Sequence, residues 1–594
     1  MYYLSKLSKA TFKKSIVTIS ILTTFACVGP ANQEEIASKE AQKIEERNRL
    51  ETDNKSEKTL ILQQAQKAYT QAEYFEAETA QVAEARQTSA LEARRAKLKN
   101  YIAAHPIHPL QLDSLGPSIN NENYQSIDEN KVKLVSKEPV STFSIDVDTG
   151  SYSNARRMLM QGNIPPSNAV RVEEFINYFD YQYPLPQNTQ QPFSVNSAVS
   201  ISPWDEHRHV LRIGLKGYEP KINTELGRNL VFLLDVSGSM NQANKLPLLK
   251  RSLTMLTNQL NENDSVAIVV YAGASGVVLK PTSGNEKSQI INALEKLQAG
   301  GSTNGSAGIQ LAYQLAQDAF IENGVNRVIL ATDGDFNVGM VNQSALIDLI
   351  EKKREKGIAL TTLGFGQGNY NDYLMEQLAD TGNGNYAYID TINEARKVLV
   401  DELTSNMQII AKDVKIQVEF NPNLVAEYRL IGYENRKLAN EDFNNDKVDA
   451  GDIGAGHSVT ALYELTLVDS ASKFNDTLRY QNKERATHEL SDELALIKLR
   501  YKLPSSDTSS LIEQVISKSQ ISPFDSQADD FKFATAVASF AQLIKDSKYI
   551  QSTNYKWIAE TAFEAKGIDR FGYRGEFIQL VKNADALSNQ LSSN

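Results

Sequence analysis

The sequence predicts an α/β fold. A doubly wound, mostly parallel sheet domain is inserted in, or flanked by, an antiparallel β-sandwich, with a helical N-terminal spacer and C-terminal helices. Three observations carry this prediction. Between about Arg228 and Leu403 the apolar runs "LVFLLD", "SVAIVVYAG", "RVILATDGD" and "IALTTLGFG" alternate with helical stretches. Strands buried on both faces read as continuous apolar runs, and helices between them supply the covering layers of a parallel sheet. On either side the texture changes to period-two alternation: "FSVNSAVSIS" and "HVLRIGLKG" before, "DVKIQVEF", "LVAEYRLIGY", "SVTALYELTLV" and "LALIKLRYKL" after. Such alternation marks antiparallel strands with one wet face. Last, "DFKFATAVASFAQLIKD" closes the chain as helix. Domain termini often lie close together at the surface, so one domain is readily spliced into a loop of another. The flanking strands are therefore expected to form one discontinuous sandwich; two separate small β domains are the alternative.

A chain of 594 residues has room for more than one domain. Its net charge of −11 excludes general binding to nucleic acid or anionic membranes, which needs a basic face. Cys27 is the one cysteine, so no internal disulfide forms.

Residues 1–27 read as an export signal. Lys6, Lys9, Lys13 and Lys14 precede the apolar run Ser15–Ala26, which is too short to span a bilayer, a task for about 20 residues. The run ends in Ala26-Cys27, and a small residue before a lone cysteine resembles the lipobox of bacterial lipoproteins. Thr24 and Phe25 depart from that motif; an uncleaved anchor or an ordinary signal is the other reading. The resemblance implies cleavage before Cys27, its lipidation and a membrane anchor. Val28, with no Asp after the cysteine, implies the outer membrane where the organism has one.

Residues 28–130 form a spacer. Gln33 to Asn100 lacks Gly and Pro and is helical by propensity, without a sustained heptad. His105 and His108 sit among prolines with no third ligand near, which argues against a metal site. Residues 131–227 open with a short strand, Phe143–Val147, before a helix. Asp146 and Asp148 suggest a calcium loop, but Gly150 and Ser151 stand where the EF-hand pattern needs Asp or Asn and then Gly. Asp148 or Thr149 is expected as turn or cap chemistry. "VRVEEFINYFDYQYP" predicts an amphipathic helix with Val172, Phe175, Ile176 and Phe179 on one face, stopped before Pro184.

The chemistry lies in residues 228–406. "LLDVSGSMNQ" delivers Asp235, Ser237 and Ser239 at every second position where the first buried strand ends. "AGGSTNGSAG" holds Thr303 before a helix, and Asp333 follows another aliphatic strand. Sites of open parallel sheets form at the carboxyl ends of strands. Two carboxylates and three hydroxyls on one edge suit Mg²⁺, Mn²⁺ or Ca²⁺ and not zinc. Singly, Ser237 or Ser239 reads equally well as a helix cap and Thr303 as a turn residue.

Asp-x-Ser-x-Ser at Asp235, Ser237 and Ser239, then Thr303, then the "TDG" Asp333 resemble the von Willebrand factor A domain and its metal-ion-dependent adhesion site. The resemblance implies that Ser237, Ser239 and, with ligand bound, Thr303 hold the metal directly, while Asp235 and Asp333 act largely through water. The flanks from "STFSIDVDTG" to "HSVTALYEL" resemble those of a bacterial family of A-domain lipoproteins, over about Lys131 to Val581. Residues 407–594 are then a C-terminal flanking domain, β-rich and then helical. Its acidic stretch Glu441–Asp452 fits no calcium loop and is expected as a solvated hairpin turn.

An enzyme is not expected. The chain has no G-x-S-x-G elbow, no phosphate-loop motif and no H-E-x-x-H. None of His207, His209, His457 and His488 lies in the α/β region to serve Ser237 as base. The expected function is a metal-dependent protein-binding module at the cell envelope, its partner presenting an exposed Asp or Glu. A structural envelope protein is the alternative, with a metal-dependent hydrolase behind it. The resemblance also implies a shift of the last α/β helix, near Ile392–Asn406, on binding. Partnership with an AAA-type ATPase, another use of A domains, conflicts with an export signal.

Overall fold

The computed structural model describes residues 121–186, 191–219, 227–272, 275–301, 305–334, 343–402, 408–476, 492–550 and 552–592. The signal segment, Cys27, most of the spacer with His105 and His108, Thr303 and His488 lie outside these residues.

The N-terminal flank runs β1 (Lys133–Leu134), β2 (Val140–Ser144), α1 (Gly150–Met160), α2 (Val172–Ile176), β3 (Phe193–Ile201) and β4 (His209–Gly217). The strand expected at Phe143–Val147 is β2, three residues earlier, because its ladder partner sets its register. α2 has five residues instead of a long amphipathic helix. Val172, Phe175, Ile176 and Phe179 are buried, but so are Glu173 and Glu174 on the supposed wet face.

The α/β unit follows: β5 (Arg228–Asp235), α3 (Leu246–Asn258), β6 (Ser265–Tyr271), β7 (Gly276–Ser283), α4 (Lys287–Glu295), α5 (Gly305–Asp318), β8 (Val325–Thr332), α6 (Gln343–Arg354), β9 (Ala359–Phe365), α7 (Asp372–Thr381), β10 (Tyr386–Ile389) and α8 (Ile392–Arg396). Its sheet order is β10-β9-β8-β5-β6-β7, parallel except for β7. Successive side chains of β5 point to opposite faces. Leu230, Phe232 and Leu234 pack with Leu249, Leu253 and Leu256 of α3; Val231 and Leu233 pack with Ile309, Ala312 and Tyr313 of α5. That two-sided burial is why β5 reads as an unbroken apolar run.

The C-terminal flank comprises β11 (Ile409–Phe420), β12 (Val425–Ile431), β13 (Gly451–Gly454), β14 (Ser458–Leu467), β15 (Glu493–Lys502), β16 (Ser509–Ser517), β17 (Ile521–Ser522), α9 (Asp529–Ile544), α10 (Tyr555–Glu564) and α11 (Tyr573–Ser592). Strands from both sides of the α/β unit share two sheets. One has the order β1-β12-β14-β4-β3-β17; the other runs β13-β11-β15-β16, with β2 also paired to β11. Phe143, Leu211, Ile213, Phe420, Tyr463 and Leu499 form their common core. This is the α/β fold with an antiparallel sandwich and C-terminal helices that the sequence predicts. The chain leaves the sandwich at Tyr218 and returns at Gln408, and one turn holds both points. Gly456 N donates to Tyr218 O at 3.0 Å and Ala455 N to Gln408 O at 2.8 Å.

The wet face expected for β4 and β14 is absent. α1, α2, α9, α10 and α11 cover the outer side of their sheet, with Phe533, Phe540 and Phe577 packed near Val210, Ile431 and Leu462. Polar positions that made these strands alternate are buried against aromatic rings or hydrogen-bond partners. Arg212 stacks 4.8 Å from the Tyr183 ring centroid, and Glu464 accepts Trp204 Nε1 at 2.7 Å. Buried polar groups are tolerated when partnered, so alternation here reports chemistry and not exposure.

Candidate metal centre

β5, β6 and β8 are neighbours that finish together. Asp235 pairs in register with Tyr271, the last residue of β6, and Leu234 with Ala331, one before Thr332 at the end of β8. β5 is also where the sheet order reverses, and ligand sites of α/β sheets form at such a switch point. Asp235 is fully buried, Ser237 and Asp333 are buried and Ser239 is exposed. The group therefore runs from the interior to the surface.

Hydrogen bonds fix its geometry. Asp235 Oδ1 accepts the Ser237 backbone N–H at 2.8 Å, and Oδ2 accepts the Thr332 hydroxyl at 3.0 Å. Ser237 precedes a short 3₁₀ turn, Gly238–Asn241, but its side chain makes no cap bond. Its Oγ instead lies 2.9 Å from Ser239 Oγ. The helix-cap reading of Ser237 therefore fails. Gly300 N donates to Val236 O at 2.7 Å and Gly238 N to Gly301 O at 3.3 Å, tying this loop to the one that carries Thr303. Asp333 Oδ2 accepts Lys245 Nζ at 2.8 Å.

Burial pushes the Asp235 carboxyl up to about 6, and the nearby Asp333 carboxylate adds to the rise. The bonds from Ser237 and Thr332 oppose it. Burial also holds the Tyr271 phenol protonated, reinforced by Asp235 beside it. A cation here would favour the ionised carboxylates.

The donor set fits a hard divalent ion. Two oxygens each about 2.1 Å from an octahedral Mg²⁺ and at right angles are roughly 3.0 Å apart. The Ser237–Ser239 hydroxyl separation of 2.9 Å matches that edge. Ser237 and Ser239 would hold the ion, with Asp235 and Asp333 behind them.

Thr332, Tyr271 and Lys245 were not singled out from the sequence. Thr332 and Tyr271 are the last residues of aliphatic strands; Lys245 had no local signal. Asp148, expected as turn or cap chemistry, instead accepts the Tyr386 backbone N–H of β10 at 2.7 Å. Thr149 occupies the cap position of α1 but makes no side-chain cap bond. α1 begins with Gly150 because a Cβ there would lie 2.2 Å from the Tyr386 ring. The stretch Glu441–Asp452 is not simply solvated: Asp449 pairs with Arg354 of α6 at 2.6 Å, and burial pushes Asp452 up to about 7. The last α/β helix is short. α8 passes into a π-helical turn, Lys397–Asp401, and Arg156 of α1 holds its Glu394 at 2.7 Å.

Comparison with known proteins follows this architecture. The von Willebrand factor type A domain model matches residues 229–402, and a von Willebrand factor model matches 118–212. A model for the C-terminal region of uncharacterized protein YfbK matches 405–587. A structure of a von Willebrand factor type A protein from Catenulispora acidiphila aligns with a TM-score of 0.36 at 15% identity, covering 65% of this chain and 89% of that one. Inter-alpha-trypsin inhibitor heavy chain H3 of Mesocricetus auratus is 24% identical over 278 residues, 41% of this chain and 30% of that protein. Uncharacterized protein YfbK of Escherichia coli (strain K12) is 45% identical over 472 residues, 78% of this chain and 81% of that protein. With that identity over most of both chains, the protein belongs to the YfbK family of bacterial proteins that carry a von Willebrand factor A domain.

Proposed function

We propose that the protein is a divalent-metal-dependent protein-binding module, without enzymatic activity, held at the bacterial cell envelope by a lipidated Cys27. The observation that carries the reading is the Ser237–Ser239 hydroxyl pair, 2.9 Å apart at the switch point of the sheet, backed by buried Asp235 and Asp333. Ser237, Ser239 and Thr303 are the direct ligands, and Asp235 and Asp333 act through water. A bound Mg²⁺, Mn²⁺ or Ca²⁺ supplies positive charge with positions open to an outside oxygen. Three direct protein ligands are too few for the six of Mg²⁺. An exposed Asp or Glu of a partner protein completes the set with a charge-assisted contact. Against a hydrolase, the described residues bonded to Ser237 are Asp235, Ser239 and Met240, with no histidine among them to serve as base, and the Asp235 carboxylate is engaged by the Ser237 N–H and the Thr332 hydroxyl.

The test is a pull-down from membrane extracts with the wild-type chain in Mg²⁺ and in EDTA, beside Asp235→Ala. Partners retained in Mg²⁺ and lost in EDTA and in the variant support the reading; identical retention in all three rejects it. The anchor is tested separately. Cys27→Ser moves the protein from the membrane to the soluble fraction, and unchanged fractionation removes the lipoprotein reading.

A further inference from the structure

The geometry points to Lys245 as the residue that sets the charge of this site. Its ammonium, fixed on Asp333, loosens the hold on the divalent cation and leaves the loaded site positive enough to capture an outside carboxylate. Because it rests on the metal-dependent reading above, it deepens that reading by naming what makes the site select an acidic ligand.

Lys245 precedes α3, six residues after Ser239 and on the far side of the 3₁₀ turn. Its backbone is held at both ends. Lys245 N donates to Gln242 O at 3.0 Å, and Lys245 O accepts Leu249 N at 2.8 Å. Its side chain is 7% exposed and that of Asp333 is 2% exposed, with Nζ 2.8 Å from Asp333 Oδ2. The stem runs across the backbone just after β9. A Cβ at Gly366 would lie 2.2 Å from Lys245 Cε and 2.7 Å from Cγ, and Gly366 has φ +78°. Glycine thus leaves a track that the lysine fills, and the ammonium has one place to go.

A strut of that shape does not need a charge. Methionine fills irregular gaps as well, and a buried ion pair is on average no better for stability than apolar packing. The charge therefore has another consequence, and it follows from simple addition. Asp235 and Asp333 carry two negative charges when ionised, and Lys245 returns one positive. With a divalent ion the three residues and the ion sum to +1; without the lysine charge they sum to zero. A site at +1 attracts a carboxylate, and a neutral one does so only through the ion's exposed face. The same ammonium repels the incoming metal ion. In a partly buried site these terms exceed their values in water several-fold. One residue thus trades metal affinity for ligand affinity, and neutralising it moves the two in opposite directions.

The experiment uses the full chain with Mn²⁺ as the metal probe and sodium acetate as the carboxylate probe. Lys245→Met removes the charge and keeps the stem; Lys245→Arg keeps the charge. Lys245→Gln is the second neutral variant, used if circular dichroism shows that Lys245→Met does not fold. Mn²⁺ affinity is read by calorimetry, and acetate binding to the Mn²⁺-loaded protein by water-proton relaxation at constant ionic strength. The expected result is a neutral variant that binds Mn²⁺ roughly tenfold more tightly. Acetate then binds it more weakly than wild type, and Lys245→Arg stays within about twofold of wild type in both. A folded neutral variant with unchanged or weaker Mn²⁺ affinity, or with unchanged acetate binding, overturns the inference and makes Lys245 a strut. Wild-type protein that binds no Mn²⁺ overturns the metal-dependent reading itself, and the inference falls with it.

Discussion

Asp235 and Thr332 illustrate how far a local motif carries at the scale of single residues. Asp235, Ser237, Ser239 and Asp333 stood out because oxygen-bearing side chains interrupt apolar runs, a signal that needs only neighbours in sequence. The structure brings those four to one edge of the sheet. Thr332 gave no such signal, because its hydroxyl matters only through Asp235, 97 residues away, whose Oδ2 it meets at 3.0 Å. Hydrogen bonds to charged groups contribute about 1.5–3 kcal/mol, so Thr332→Val, nearly the same shape, should weaken Mn²⁺ binding about tenfold while leaving the fold intact. Calorimetric titration of the variant measures this; an unchanged affinity would mean that Asp235 is oriented without Thr332.

The element scale is set by the seam between α1–α2 of the flank and α7 of the A domain. Arg171 bonds Glu174 and Asp372 and lies 3.6 Å from Glu376; Arg436 lies 3.3 Å from both Asp146 and Asp148 and 3.1 Å from Glu376. Carboxylates outnumber guanidiniums here, and the whole group is largely buried. Burial raises Glu174 to about 7, opposed by Arg171 and assisted by the Glu376 and Asp372 charges. Asp148 and Glu376 are raised for the same first cause. A carboxyl whose folded value lies above its unfolded one stabilises fully below the ordinary carboxylate range. That stabilisation is lost as pH rises, here through about 7. Melting should therefore fall between pH 5.5 and pH 8, with Glu174 contributing on the order of 2 kcal/mol. Glu174→Gln, which still accepts from Arg171 but does not ionise, should flatten part of that slope. A variant as pH-sensitive as wild type would assign the slope elsewhere. None of this seam was readable in the sequence. Asp146 and Asp148 suggest a calcium loop that the spacing does not fit, Asp148 reads as turn or cap chemistry, and Glu173 and Glu174 fall on the wet face of an expected helix. Apart from Arg171 beside Glu174, the charged partners across the seam come from segments about 200 and 300 residues downstream, and period counting sees only one element at a time.

At the scale of the whole molecule the order of textures in the chain was sufficient. Alternating, then continuous, then alternating apolar patterns gave an α/β unit with a β-sandwich around it, since each pattern reflects how many faces of a strand are covered. What failed was the count of layers. β14 is buried at every residue because helices from both flanks cover a face that the alternation marked as wet. The edge strands β7 and β10 were also missed: β10 has only four residues, and β7 carries its apolar residues in a short run. The A domain is thus held at its base by the turn that joins Tyr218 to Gln408 and at its side by the Arg156 clamp on α8. The edge that carries Asp235, Ser237 and Asp333 lies at the other end of the strands, where metal and partner are proposed to bind.

The central claim is that this edge binds a divalent ion through Asp235 and the serines behind which it sits. Thermal melting of the full chain in Mg²⁺ and in EDTA, for wild type and Asp235→Ala, tests it most directly. An ion that binds only the folded state stabilises it by about 2.7 kcal/mol at a hundred times its dissociation constant. For a domain of this size that corresponds to a rise of roughly 5–10 °C in the A-domain transition. The account predicts that rise in wild type and its loss in Asp235→Ala. Equal melting of the wild type in Mg²⁺ and EDTA, or an undiminished rise in the variant, would contradict it.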